Sequence, residues 1–480
     1  MSEHNRLGHL SDSHDNDDDE YRDDQADTER HDPAMHDTDS PDDLTLGETQ
    51  RLLLMDSAHL WHPYTQHMGA PLPVPIARAE GAYLYDVSGR PILDAISSWW
   101  VTTHGHSRPE IAEAIAKQAR TLDQVIFAGF THGPAAELAS ELVTRLPRGL
   151  TRVFLSDNGS TAVEVAIKMS MQSYANAGKP RRLIAALENA YHGDTFGAMA
   201  ASARSMFNAP FDPLLFEVAR LPDPSEGDTI AALTKLIAER GSELAAVIVE
   251  PLLIGAGGMH VYDERVLQAI RQLTAGAGVH LIADEVLTGF GRTGPLFACE
   301  RADIAPDLLC MSKGLTGGFM ALGATAATEA IYDAFLSADR RLTFFHGHSY
   351  TANPIACAAA LAALQLYDDT SEDNRVRIEV AHANHLATFK KHKGVKNTRQ
   401  IGTVAVVELA AAPGYLSEIG REVTAYALEE GVLLRPLGNV AYCLPPYCIT
   451  DGELARVYEV LRQFLDGARA TGAVQERLRG

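Results

Sequence analysis

His280-Leu-Ile-Ala-Asp284-Glu-Val286 and, 29 residues after Asp284, Ser312-Lys313-Gly314 are the stretches on which the reading of this chain turns. The first is an apolar run ending in an acid, the pattern of a buried strand. A carboxylate at its end stands at the carboxyl edge of a sheet, where open α/β sheets take their ligands. The lysine follows another short apolar run, Leu308-Leu-Cys-Met311. It precedes Gly314-Leu-Thr-Gly-Gly318, a flexible loop able to carry its amine to the same edge. Taken singly, Asp284 reads as a turn cap and Lys313 as a surface lysine, so the pair is judged with its neighbours.

Strands and helices alternate outward from this segment. Arg152-Val-Phe-Leu-Ser156 reads as a strand turned by Asn158-Gly-Ser160 into a helix, with Val163, Ala166, Ile167, Met171 and Tyr174 on one face. Leu183–Leu187 and Ala246–Val249 are further strands. The second is joined to Val279–Ala283 by a helix from about Asp263 to Thr274, a βαβ unit. Asn353-Pro354 caps and opens an alanine-rich helix over Ile355–Leu366 that should pack in the interior. Residues 105–367 are therefore expected to form a large domain on a mostly parallel sheet. Residues 51–104, with a hairpin signal at Gly81-Ala-Tyr-Leu-Tyr-Asp86, read as the N-terminal part of a smaller α+β domain. Residues 368–480 read as its C-terminal part: a polar helix to about Lys391, strands at Val404–Leu409 and Val432–Leu434, and a last helix. That helix opens with the capping box Thr450-Asp-Gly-Glu453 and buries Leu454, Val457, Leu461 and Phe464.

At 480 residues and 46% hydrophobic content the chain can bury a large core. Its net charge of −22 is concentrated at one end, since residues 1–50 hold 17 acids against 3 basic residues. That stretch, almost free of aromatics, is expected to be a disordered acidic tail. Its five histidines suit a solvating extension better than a metal site, and no metal site is expected elsewhere. The acidic balance excludes nucleic-acid binding. No apolar run reaches a membrane span and the start is acidic, so neither a membrane segment nor a secretory leader is expected and the cytoplasm is the expected compartment. Cys299, Cys310, Cys357, Cys443 and Cys448 occur singly, which fits reduced thiols, with Cys443 and Cys448 in the core.

Three other features share the sheet edge with Asp284 and Lys313. Gly159-Ser160 at a helix start offers backbone donors to a phosphate. Tyr191-His192-Gly193-Asp194 follows a strand and supplies an aromatic ring. A strand-end acid for a pyridine nitrogen, a loop lysine for an aldehyde, a phosphate cradle and a ring cover together make a pyridoxal phosphate site. Gly289-Phe-Gly-Arg-Thr-Gly294 mimics a dinucleotide fingerprint, yet Pro295 follows where a helix should open and Asp284-Glu285 would repel a pyrophosphate.

Ser156-Asp-Asn-Gly-Ser160, Tyr191-His-Gly-Asp194, Glu250-Pro251, Ala283-Asp-Glu-Val286, Gly289-Phe-Gly-Arg-Thr-Gly294 and Ser312-Lys-Gly314 resemble the class III aminotransferases of fold type I, over about residues 55 to 470. Within that class, Trp61-His-Pro-Tyr64, Trp99-Trp100 and Arg435-Pro-Leu-Gly-Asn-Val-Ala-Tyr-Cys-Leu-Pro-Pro446 are similar to the 7,8-diaminopelargonate synthases of biotin synthesis. The resemblance implies that Lys313 forms the Schiff base and moves the proton, and that Asp284 holds the pyridinium. It implies that Gly159 and Ser160 bind the phosphate and that Tyr191 stacks on the ring. Tyr64, Trp99, Trp100, Tyr191, Lys313 and Gly347 would line the substrate site, with Tyr64 also catalytic, and Arg435 would take a carboxylate. It further implies a homodimer with shared active sites, in which Ser349 reaches the partner's cofactor phosphate. Where many relatives have His-Gly-Pro-Thr, this chain has His346-Gly-His-Ser349, so a hydroxyl is kept and a rigid proline lost. The implied reaction is amination of 8-amino-7-oxononanoate, with S-adenosylmethionine or lysine as donor. Other class III reactions, on ω-amino acids, ornithine or 4-aminobutyrate, are the alternative.

Overall fold

A computed structural model describes residues 46–479. The expected tail therefore lies outside the described residues except for its last five positions, which open a helix, Leu46–His59. Strands β1 (Ile76–Glu80), β2 (Tyr83–Asp86) and β3 (Pro91–Asp94) follow as an antiparallel meander. The hairpin expected at Gly81 is thus the turn between β1 and β2.

Next come β4 (Leu150–Ser156), β5 (Leu183–Leu187), β6 (Val218–Leu221), β7 (Leu244–Val249), the short pair β8 (Leu253–Ile254) and β9 (His260–Val261), then β10 (His280–Asp284), β11 (Leu308–Met311) and β12 (Gly323–Thr328). Seven of them build one sheet in the order β4-β12-β11-β10-β7-β5-β6. All its neighbours are parallel except at β12, which runs antiparallel to β4 and β11. This is the mostly parallel α/β sheet that the sequence predicts. Strand β12, Gly-Ala-Thr-Ala-Ala-Thr, carries little strand propensity and gives no strand signal in the sequence; its small side chains are buried in the sheet.

The alternation of side chains explains why both faces are apolar. Ile184, Ala186, Ala246, Ile248 and Ile282 pack with Ala162, Val163, Ala166 and Ile167 of the helix Gly159–Asn176. Leu183, Ala185, Leu187, Val247, Val249 and Leu281 face the other way, onto Leu267 and Ile270 of the helix Glu264–Gly276. Each of these wholly buried leucines or isoleucines contributes about 1.5–3 kcal/mol. Two residues beyond Ile282 on the same face comes Asp284, beneath the helix that begins at Gly159. Period two thus sends the acid toward the end of the sheet where that helix starts.

Beyond the helices Pro354–Gln365 and Asp369–Phe389, strands β13 (Val395–Ile401), β14 (Val404–Leu409), β15 (Val432–Leu433) and β16 (Val440–Cys443) complete the chain before the helix Asp451–Leu465. Strand β15 pairs with β3, so the two ends of the chain share a sheet. The helix Asp451–Leu465 keeps its capping box and buries Leu454, Val457, Leu461 and Phe464 as the pattern predicts. One core assignment is corrected: Cys443 is buried in β16 but Cys448 is exposed, in the turn after that strand where its neighbours Tyr447 and Ile449 take the inward places. Among the described residues no helix is long and apolar enough to cross a membrane.

Candidate active site

Register brings the two decisive residues together. Asp284 pairs with Cys310 across β10 and β11, and Lys313 follows Cys310 by three positions. The Asp284 carboxylate is buried; its Oδ2 lies 2.6 Å from His192 Nδ1 and its Oδ1 accepts the Val286 N–H at 3.1 Å. His192 is buried too, and its Nε2 has no hydrogen-bond partner among the described residues. Lys313 sits at a left-handed φ of 42° with its Nζ 4.6 Å from the centroid of the Trp100 ring. Burial lowers its ammonium pKa to about 8, assisted by Arg292 and opposed by Asp284 and Glu250.

The helix start is built from close approaches. Asn158 caps it by accepting the Thr161 N–H at 3.0 Å, leaving the N–H groups of Gly159 and Ser160 without an intrahelical acceptor. A Cβ at Gly159 would come within 2.8 Å of Val286 and 3.6 Å of Ser312, which puts the helix start against the residues flanking Asp284 and Lys313. Gly193, at φ 127°, is pressed on Ser160, whose Oγ accepts the Asp194 N–H at 3.2 Å.

Tyr191 is positioned from behind. Its N–H donates at 2.9 Å to Glu250, a buried carboxyl that also accepts from Gly255 N at 2.9 Å. Burial, reinforced by Asp284 and opposed by His192, pushes the Glu250 pKa up to about 7. The Tyr191 hydroxyl lies 3.2 Å from that of Tyr64, which in turn donates to Asp194. Burial and the Asp194 carboxylate raise the Tyr64 phenol to about 12. Tyr64 stands 5.5 Å from Trp99, and the Arg435 guanidinium covers Trp99 at 4.9 Å. Phe207 extends this wall, 6.2 Å from Tyr64 and 4.8 Å from Tyr415.

The structure thus links Tyr64, Trp99, Trp100, Gly159, Ser160, Tyr191, Asp284, Lys313 and Arg435, with their immediate neighbours, into one chain of contacts. Trp100 departs from a simple lining role: it is buried, and its indole N–H is committed to the Tyr442 hydroxyl at 3.0 Å. Arg435 is exposed and stacked on Trp99, with no carboxylate partner among the described residues. Gly347 and Ser349 stand apart. Both are exposed, and the Ser349 carbonyl accepts from Gln124, while no hydrogen bond to Gly159 or Ser160 is made among the described residues. Glu250 and His192 sit in quoted motifs without assigned roles; Phe207 and Tyr415 carry no sequence signal, because loop aromatics far apart in sequence meet only in the fold.

These residues fit pyridoxal phosphate. Unpaired helix-start N–H groups and a glycine that tolerates no Cβ suit a phosphate, a carboxylate fixed by His192 suits a protonated ring nitrogen, and a lysine of lowered pKa suits an aldehyde.

Comparison with known proteins agrees. The class-III aminotransferase pattern matches residues 64–465. The chain is 51% identical, over 85% of its length and 98% of the other, to the adenosylmethionine-8-amino-7-oxononanoate aminotransferase of Synechococcus elongatus. The crystal structure of the Methanocaldococcus jannaschii protein of that name matches with a TM-score of 0.84 at 35% identity, covering 87% of this chain and 99% of that one. The omega transaminase of Pseudomonas jessenii, solved in complex with PMP, matches with a TM-score of 0.82 at 27% identity, over 86% of this chain and 97% of that one. The chain belongs to the class-III aminotransferases and works with pyridoxal 5'-phosphate.

Proposed function

We propose that this enzyme aminates 8-amino-7-oxononanoate to 7,8-diaminononanoate in biotin synthesis. The observation that carries this reading is the Tyr64–Trp99–Arg435 wall, joined through Trp100 to Lys313: tilted aromatic rings for an aliphatic chain, ending in a guanidinium for its carboxylate. The Synechococcus and Methanocaldococcus relatives bear the name of this reaction. Their shared name also supports S-adenosylmethionine as amino donor, with lysine the competitor.

Bound pyridoxal phosphate supplies an electron-poor ring that stabilises negative charge on the adjoining carbon and stores the amino group between two half-reactions. The chain's own residues do the rest. Lys313 Nζ, held short of full protonation by its buried setting, removes the proton from the amine-bearing carbon of the donor and in the return half supplies one to C7 of the ketone. Asp284, kept in place by His192 and Val286 N–H, holds the proton on the ring nitrogen. Gly159 and Ser160 would anchor the phosphate, and Tyr191 would cover the ring. Tyr64, hydrogen-bonded to Asp194, orients the substrate amine. Arg435 binds the substrate carboxylate, with Trp99 and Trp100 excluding water along the chain. The enzyme acts as a cytoplasmic homodimer whose Ser349 and Gly347 complete the partner's site.

The test is the absorbance of purified holoenzyme before and after addition of 7,8-diaminononanoate. Conversion of the aldehyde-form band to the pyridoxamine form is expected. An unchanged spectrum with a normal starting band would instead assign the enzyme to ω-amino acids, ornithine or 4-aminobutyrate.

A further inference from the structure

Strand β3 ends at Asp94, and the chain then makes a tight, strained passage that carries both tryptophans. Ser97, Ser98 and Trp100 adopt left-handed φ values of 53°, 58° and 68°, a region L side chains rarely enter. Trp99 between them is also non-helical, at φ −112° and ψ 53°. Left-handed residues other than glycine persist only where their surroundings over-determine them. Here the surroundings converge on one wholly buried carboxylate. Asp94 Oδ1 accepts the Ile96 N–H at 3.1 Å, and Oδ2 accepts the Ser98 N–H at 2.6 Å and lies 2.8 Å from His106 Nε2. His106 is itself tied to the β1–β2 turn, its N–H donating to Gly81 O at 2.7 Å and its carbonyl accepting from Gly81 N at 3.3 Å. From the opposite side, Ser97 Oγ donates to Leu444 O at 2.8 Å and Leu444 N to Ala95 O at 2.8 Å.

The payload of this passage is functional on both sides. Trp99 faces Tyr64 and Arg435, and Trp100 lies under the Lys313 amine. We propose that Asp94 and His106 are positioning residues: a buried clamp that holds the strained Ser97–Trp100 turn and so sets the substrate-facing geometry of Trp99 and Trp100. This rests on the amino-ketone reading above. Neither residue touches substrate; each acts through the backbone N–H groups of Ile96 and Ser98. The strain is accepted because a relaxed turn would swing the indoles off the wall that recognises the aliphatic chain.

Asp94→Asn tests the clamp with little change in volume. An amide has one acceptor oxygen, so either the Ile96 or the Ser98 N–H must face an NH2 group instead. The expected result in steady-state assays is a KM for 8-amino-7-oxononanoate raised on the order of tenfold, the scale of one lost hydrogen bond to a charged acceptor. The turnover number should change far less, and cofactor affinity should be unchanged. In a Trp61→Phe background, where only Trp99 and Trp100 remain, near-ultraviolet circular dichroism should lose tryptophan signal in the same variant. Should Asp94→Asn not fold, His106→Ala reports on the same clamp and His106→Gln, which keeps a side-chain N–H, should restore most of the KM. Unchanged KM and dichroism in a folded Asp94→Asn or His106→Ala enzyme would overturn the proposal, as would equal losses in His106→Ala and His106→Gln. Wild-type enzyme is measured in parallel: if it fails to convert the diamine, the substrate reading falls, and the dichroism of the variants still decides the clamp.

Discussion

Burial pulls the amine of Lys313 well below the ordinary lysine range, and this has a direct consequence. A lysine at its ordinary 10.5 would be almost wholly protonated at neutral pH, whereas at about 8 it offers a useful fraction of neutral amine. Because the shift is downward, the reactive form is lost as pH falls below about 8 and is saturated above it. Cofactor-free enzyme mixed with pyridoxal phosphate should therefore capture the aldehyde at a rate that drops about tenfold per pH unit below 8 and is flat from 8 to 10, followed by absorbance. A rate still climbing tenfold per unit above pH 9 would show an unperturbed lysine. Asp284→Asn makes the second test at this scale. An amide cannot stabilise a pyridinium, and it leaves His192 facing a neutral partner in place of a carboxylate, so turnover should fall by at least about a hundredfold while the protein stays folded. Near-normal rates in stopped-flow half-reactions would mean that another acid faces the ring nitrogen.

At the scale of elements, the cleft exists because a strand end, a turn and a helix start meet with almost no space between them. Gly193 shows how tight the meeting is: at φ 127° its Cβ position is 2.0 Å from Ser160 Oγ. Gly193→Ala should push the Tyr191–Asp194 turn off the helix start and weaken cofactor affinity on the order of tenfold or more, measured by pyridoxal phosphate titration. Unchanged affinity would show that the turn can move without disturbing the phosphate cradle. Much of this arrangement is legible in the sequence, because strand-end acids and helix caps leave local signatures: β10 ends on Asp284, and Asn158 precedes Gly159. What is not legible depends on partners distant along the chain. Strand β12 is hidden by its small residues. The clamp at Asp94 depends on His106 and on Leu444, 350 positions downstream of Asp94. Cys448 reads as core from its apolar neighbours, yet in the turn after β16 Tyr447 and Ile449 are buried and Cys448 between them is exposed.

At the scale of the whole molecule, composition and fold assign different fates to the two ends of the expected tail. Thr49 and Leu53 of the helix Leu46–His59 are buried, so the boundary between dispensable and structural chain should fall near residue 45. Removing residues 1–45 should leave the melting temperature within about 2 °C and the activity intact, whereas removal through residue 59 should lower it by several degrees. Calorimetry on both truncations checks this, and a large loss on the shorter one would give the acidic stretch a structural role. Assembly makes the strictest demand. If Ser349 serves the partner's phosphate, a site needs Lys313 from one subunit and Ser349 from the other. Lys313→Ala and Ser349→Asp homodimers, the first lacking the amine and the second placing a charge against the phosphate, should both be inactive or nearly so. Mixed, unfolded and refolded together, they form heterodimers in which one of the two sites carries Lys313 and Ser349 intact. Recovery of about a quarter of wild-type activity is then expected, since half of randomly paired dimers are mixed and each has one good site. No recovery, with heterodimers demonstrated by tagged co-purification, would place Ser349 with the Lys313 of its own subunit, and a fully active Ser349→Asp homodimer would place it outside the site altogether.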